Sequence, residues 1–236
     1  MAFNSVKRAD DLVPVRNVLA SVYDKTGLAE LVRGIVAAAR RGGPSGKAGS
    51  HAVSFYSTGG TYDFLGDALA GIEGASLVKV SDYTGQPEMG GGLVKTLDWK
   101  IYLGLLAETG NASHAADLER NGAVAFDMVI SNLYPFEAAA ADADAAPEDL
   151  RQHIDIGGPC MIRAAAKNYL RVASVSSPAQ YGALLEELRA TGGSTRLETR
   201  RRLAVEAFSL TSRFDAAISA RIGGLSPAAV AAAYGL

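Results

Sequence analysis

The sequence predicts an α/β fold, a doubly wound and mostly parallel sheet with helices on both faces. Three observations predict it. Short apolar runs alternate with helix-like stretches along the chain. Four loops rich in Gly, Asp, Thr and Asn each follow a strand-like run, where α/β sheets bind ligands. The chain is 236 residues long with 48% hydrophobic residues, enough for one large domain with a helical appendage.

In order, Val18 to Val22 reads as a buried strand and Leu28 to Ala39 as a helix. Val53 to Tyr56 is a second strand, with a helix from about Thr61 to Leu69, and Leu77 to Val80 a third. Ser81 to Leu97 has loop composition. Phe126 to Ile130 and Val172 to Val175 are the fourth and fifth strands, and helices follow over Pro178 to Ala190 and about Thr195 to Ile222. The expected organisation is an N-terminal extension over residues 1–15, a domain over 16–222 and an alanine-rich tail over 223–236.

Net charge is −2 and the basic residues are scattered, which argues against a nucleic-acid binder. One cysteine, Cys160, excludes an internal disulfide and fits a reducing compartment; it reads as a small apolar residue near a helix start. The three histidines lack the spacing of a metal site. No run reaches the ~18 apolar residues that span a bilayer, and the first residues lack a signal-peptide core, so a cytoplasmic protein free of membranes is the simplest expectation. Arg41 to Ser50 resembles a phosphate-binding P-loop only superficially. Arg41 stands where the first glycine is needed, and Ala48 follows Lys47.

The richest segment is Ile154-Asp155-Ile156-Gly157-Gly158-Pro159, running into a helix-like stretch that ends at Lys167-Asn168. Glycines before a helix leave its first N–H groups open to a ligand, and a buried lysine ammonium could titrate usefully. Structurally, Asp155 could instead cap the helix and Lys167 pair with it. Ser57-Thr58-Gly59-Gly60-Thr61 follows a strand and opens a helix, so it is either a phosphate cradle or a capped turn. Asp24-Lys25-Thr26-Gly27 adds a cation at the first strand–helix junction, or is only a cap. Lys95-Thr96 lies in the long third loop, and Asn132 and Tyr134 follow the fourth strand.

SVYDKTG (21–27), STGGT (57–61), VSDYTGQPEMGGGLVKTL (80–97), SNLYPFE (131–137), IDIGGPCMIRAAAKN (154–168) and LETRRRLAVEAF (197–208) together resemble the IMP cyclohydrolase domain of the bifunctional purine-biosynthesis protein. The resemblance implies a methylglyoxal-synthase-like fold with extra C-terminal helices, a homodimer, and no metal or organic cofactor. It implies closure of 5-formamidoimidazole-4-carboxamide ribotide (FAICAR), a purine ribotide, to IMP with loss of water. Lys95 and Asn132 would meet the reacting formyl and carboxamide groups, and Tyr134, Asp155 and Lys167 would handle protons. Lys25, Thr58, Gly59, Gly60, Thr61 and Thr96 would hold the ribose phosphate. Ile156, Gly157 and Gly158 would line the base, and Ser21 and Leu133 would also bind substrate.

The chain departs from the family pattern at the expected phosphate end. Leu93 replaces an arginine, Asp98-Trp99 a His-Pro pair, Tyr23 a serine, and Ile101-Tyr102-Leu103-Gly104 a V-H-G-G stretch. A lost charge-assisted contact weakens binding by about 1.5–3 kcal/mol without abolishing chemistry. Asp98 could repel a phosphate, and Lys100 or Arg163 could compensate. No transformylase-like segment follows, so the expectation is a free-standing cyclohydrolase supplied by a separate AICAR transformylase. The alternative is a ribotide-binding or regulatory module of the same fold. Retention of Lys95, Asn132, Tyr134, Asp155 and Lys167 favours the enzyme.

Overall fold

A computed structural model describes residues 6, 8–42, 50–87, 94–142 and 145–236. Its centre is a five-stranded sheet of β2 (Asn17–Val22), β3 (Val53–Ser57), β4 (Ala75–Lys79), β5 (Met128–Asn132) and β6 (Ala173–Val175). The order is β4-β3-β2-β5-β6, and every pair is parallel. Chain order runs one way from β2 through β3 to β4, then resumes at β5 on the other side of β2. The crevice between the ends of β2 and β5 is therefore the topological switch point, where such sheets bind ligands.

The central strands place apolar residues on both faces because both faces are covered. Val18, Ala20 and Val22 of β2 pack into a cluster with α1 (Leu28–Arg41), α2 (Gly59–Leu69) and α9 (Tyr181–Thr191). Leu19 faces the opposite cluster, with Ile101 and Leu105 of α4 (Trp99–Leu106) and Met161, Ala164 and Ala165 of α8 (Gly157–Lys167). Helix α8 uses a second face as well. Its Ile162 and Ala166 meet Ala204 and Ala207 of α10 (Leu197–Gly223), and the alanines let the helices approach closely.

The remaining elements are short. An N-terminal strand, β1 (Leu12–Pro14), pairs antiparallel with β7 (Ser194–Arg196), so residues 12–14 of the expected extension are joined to the domain. Helices α3 (Val80–Thr84), α5 (Ala112–Arg120), α6 (Phe136–Ala140) and α7 (Pro147–Gln152) occupy connections. A final helix, α11 (Pro227–Tyr234), reaches α7 through a Tyr234 hydroxyl that donates to Glu148 Oε2 at 2.9 Å. Arg200 of α10 is fully buried, its guanidinium donating to the carbonyls of Asp10, Asp11, Tyr169, Leu170 and Thr195. No single helix among the described residues is long and apolar enough to cross a membrane.

Candidate active site

A cleft of about 530 Å³ opens over the switch point. Its floor holds Ser21 of β2 and Ser131 and Asn132 of β5. One wall is the start of α2, with Thr58, Gly59, Gly60 and Thr61; the other is Asp155, Ile156, Gly157 and Gly158 at the start of α8. Lys25 and Tyr134 stand at the rim, and Lys95 and Thr96 come in from the long loop before α4. Five separate chain segments thus bring almost every residue singled out in the sequence into one cleft.

Two glycines admit that loop. A Cβ on Gly59 would sit 2.9 Å from Lys95 Nζ, and one on Gly157 would sit 2.9 Å from Thr96 Oγ1. Lys95 therefore stands over the first turn of α2 and Thr96 over the first turn of α8. Gly59 also has φ +48°, a backbone that favours glycine. The positive end of the α2 dipole and the Lys95 ammonium make this wall suited to an anion.

At α8 the geometry differs from the sequence expectation of open N–H groups. Asp155 Oδ1 accepts from Gly158 N–H at 2.9 Å, and Pro159 has no N–H to give. The start of α8 is thus capped by its own carboxylate. A Cβ on Gly158 would lie 2.4 Å from Asp155 Oδ2 and 2.9 Å from Leu133 Cδ2, so only glycine leaves the carboxylate in place. Burial pushes the Asp155 carboxyl above the ordinary aspartate value, opposed in part by the N–H groups of Gly158 and Gly157. A carboxyl raised in this way holds its proton more firmly than an exposed aspartate, which suits it to proton transfer.

Several expected ligand groups turn out to be bound to the protein itself. The Thr61 hydroxyl donates to Val22 O and accepts from Val22 N–H, both at 3.0 Å, and so ties α2 to β2 where it lines the cleft. Asn132 Oδ1 accepts from the N–H groups of Tyr23 and Asp24 at 2.8 and 2.9 Å, and Nδ2 donates to Asp24 O at 2.8 Å. Its amide holds the loop after β2 in place. Lys25 Nζ points at the end of the same strand, 3.3 Å from Val22 O. Leu133 lies outside the cleft lining and packs behind Gly158 with the α8–α10 cluster.

Lys167 is not brought to Asp155. It is the last residue of α8 and exposed, ten residues along from Gly157, about 15 Å at 1.5 Å per residue. The departures from the family pattern also resolve. Asp98 caps α4, accepting from Lys100 N–H at 2.7 Å. Lys100 donates to Tyr83 O at 2.9 Å and lies over the Tyr83 ring, and Arg163 lies over Phe208, so both cations are engaged in packing rather than offered to the cleft. Tyr23 packs on Tyr134 with ring centroids 5.1 Å apart, both rings about half exposed at the rim. Leu93 and the glycines before it lie outside the described residues, as does Lys47.

Ser131, Gln152 and Met161 also line the cleft and were not singled out. For Ser131 a signal existed: a hydroxyl closing the apolar run Met128-Val129-Ile130. Among the described residues no group of three or more His, Cys, Asp or Glu is placed to hold a metal.

Comparison with known proteins agrees with this geometry. The MGS-like domain matches residues 46–160, and the AICARFT/IMPCHase bienzyme matches residues 165–233. The bifunctional purine biosynthesis protein PurH of Chlorobium phaeovibrioides is 44% identical over 219 residues, covering 93% of this chain and 38% of that protein. PurH of Dinoroseobacter shibae is 46% identical over 210 residues, covering 89% and 36%. The chain thus spans well under half the length of these relatives. The crystal structure of ForH superposes with a TM-score of 0.69 at 30% identity, covering 89% of this chain and 99% of that one. With the parallel sheet, the cleft at its switch point and these matches, the chain belongs to the PurH family and corresponds to its MGS-fold, IMP cyclohydrolase-like domain.

Proposed function

We propose that the chain is an IMP cyclohydrolase, closing FAICAR to IMP with release of one water. The observation that carries this is the meeting of Lys95 and Asp155 in one cleft, a cation over the start of α2 facing a burial-raised carboxyl at the start of α8.

Ring closure demands three things of a site. The carboxamide nitrogen, a weak nucleophile, must be held against the formyl carbon; the oxygen that becomes anionic needs a donor; and protons must move from nitrogen to the departing oxygen. In this reading the Gly59–Gly60 turn, Thr58, Lys25, Thr96 and Ser21 anchor the ribose phosphate. Asn132 holds the Tyr23–Lys25 loop, and Tyr134 with Ile156 and Gly157 borders the base. As the new C–N bond forms, Lys95 stabilises the formyl oxygen. Asp155 takes a proton from the carboxamide nitrogen and passes it to the formyl oxygen, giving a ring hydroxyl. That hydroxyl then leaves as water with the N–H proton of the former formamido nitrogen, again carried by Asp155, as the C=N bond forms. Two carboxyl states used in turn call for a pKa nearer neutrality than an exposed aspartate has.

A second reading, a ribotide-binding module without turnover, draws on the rim. Tyr23 stands there in place of a serine hydroxyl, stacked on Tyr134. One experiment separates the two: IMP formation from FAICAR by the purified protein, beside Lys95→Ala and Asp155→Asn variants. Turnover lost in both variants supports the cyclohydrolase. Tight IMP binding with no turnover supports the module. A homodimer belongs to the same proposal and is tested by sedimentation.

A further inference from the structure

Ser131 stands near the end of β5, in a strand that otherwise reads Met-Val-Ile before it. It is 1% exposed, and its hydroxyl meets no hydrogen-bond partner among the described residues. A buried hydroxyl left unpartnered costs free energy that alanine or valine in the same place would not. Two other side chains share this condition, Tyr102 and Ser194, but neither borders the cleft.

Its setting points to a ligand. Ser131 is the register partner of Ser21 in the parallel β2–β5 pair. Each lies two residues beyond a side chain, Leu19 or Val129, that packs into the cluster beneath α4 and α8, so both hydroxyls sit on that face of the sheet. Both line the cleft floor between the α2 and α8 walls. Three polar groups of that floor and its walls are engaged by backbone: Thr61 by Val22, Asn132 by Tyr23 and Asp24, Asp155 by Gly158. Among the described residues, Ser131 is the fully buried hydroxyl of the cleft lining that has no partner.

Resting on the ribotide-site reading above, we propose that Ser131 Oγ is a substrate-binding hydroxyl that donates to an oxygen acceptor of the bound ribotide. The acceptor is an oxygen of the phosphate or of the base and ribose. Ser131 acts beside Ser21 and takes no part in proton transfer, so its loss raises KM and leaves kcat.

The test uses Ser131→Ala, with Ser194→Ala as a buried-hydroxyl control outside the cleft. Calorimetry and thermal shift are run with IMP, inosine and ribose 5-phosphate, beside FAICAR turnover. Ser131→Ala is expected to weaken IMP about tenfold, the size of one hydrogen bond, and to raise KM to match. The ligand-free protein should melt no lower than wild type, because an unpartnered hydroxyl has been removed. Weakened ribose 5-phosphate with unchanged inosine assigns the phosphate oxygen; weakened inosine assigns the base or ribose. The inference is overturned if Ser131→Ala binds all three ligands as wild type does, if wild type binds none, or if the ligand-free variant melts lower. Ribose 5-phosphate binding that depends on Ser131 without FAICAR turnover would refute the cyclohydrolase and keep this site. Turnover indifferent to Ser131 would do the reverse.

Discussion

The amide of Asn132 pairs with the peptide of Asp24 at two points, accepting from its N–H at 2.9 Å and donating to its carbonyl at 2.8 Å. A third bond, from Tyr23 N–H, completes the clamp. The end of β5 therefore sets the position of the loop that carries Tyr23 and Lys25 to the rim. Asn132→Ala frees that loop and leaves peptide groups to find water. A stability loss of about 1–3 kcal/mol is expected, together with a KM increase larger than the fall in kcat. Asn132→Asp keeps the acceptor and loses only the donor, so its loss should be the smaller. Denaturant titration and steady-state kinetics on the two variants check the order.

Asp155 ties function to a stability cost. Its carboxyl is raised by burial, so the folded state holds the proton to higher pH than the unfolded chain does. The sign follows: the penalty is absent at low pH, where both states are protonated, and appears as pH rises through the folded pKa. Asp155→Asn retains an acceptor for Gly158 N–H and removes the penalty. The variant should be at least as stable as wild type at neutral pH, with any advantage fading in acid. Its turnover should fall by about 10²–10⁴-fold, the usual size of a lost acid–base group. Wild-type activity should also decline on the acid side at a pH above the ordinary carboxylate range. Melting curves and kcat/KM against pH for both proteins test all three statements.

The five parallel strands were legible because each is a short apolar run closed by a loop, and both faces of the sheet are covered. Strands β1 and β7 were not. Leu12-Val13-Pro14 and Ser194-Thr195-Arg196 are three residues each, and only their pairing makes them strands. Helix α4 was missed because Trp99 to Leu106 is apolar nearly all round and carries Gly104, and its Asp98 cap was read as a phosphate-loop change. At the candidate site, residue types pointed to groups that share one cleft but not to each group's partner. Only the fold shows that Thr61 and Asn132 are also bonded to Val22 and Asp24. Lys167 reads from sequence as a buried ammonium or a partner of Asp155, while ten helical residues carry it to the exposed end of α8. Ser131 closes the apolar run Met128-Val129-Ile130, but sequence does not say that its hydroxyl is left without a partner; that needs the fold.

Gly158 is the position where a single methyl group should do most harm. A Cβ there would meet Asp155 Oδ2 at 2.4 Å and Leu133 Cδ2 at 2.9 Å, and α8 is fixed by packing on both the sheet and α10. The helix cannot retreat, so the carboxylate must leave its cap. Gly158→Ala should cost about 1–3 kcal/mol and reduce kcat/KM nearly as far as Asp155→Asn does. Gly157→Ala meets only the Thr96 hydroxyl, at 2.9 Å, which sits on a loop that can yield. It should raise KM with a smaller stability loss. Kinetics and melting of the two alanine variants side by side distinguish the two contacts.

Arg200 holds the far side of the domain without touching the cleft. Its guanidinium, fully buried, satisfies carbonyls from the N-terminal segment, the turn after α8 and β7. A buried cation is expensive unless every donor is matched, and here the partners are neutral oxygens already fixed by the fold. Burial pulls the guanidinium pKa downward, partly offset by Asp11, Glu187 and Asp10. Arg200→Leu keeps much of the volume and strands the five carbonyls. The expected loss is about 3–5 kcal/mol, by analogy with broken buried charge networks, or a Tm lower by roughly 6–20 °C for a chain of this size. Arg200→Lys should recover little, because one ammonium cannot reach carbonyls spread around a planar fork. Where either variant remains folded, its KM should match wild type, since the cleft lies at the strand ends and Arg200 packs behind α8. Differential scanning calorimetry gives the first number and kinetics well below the melting temperature the second.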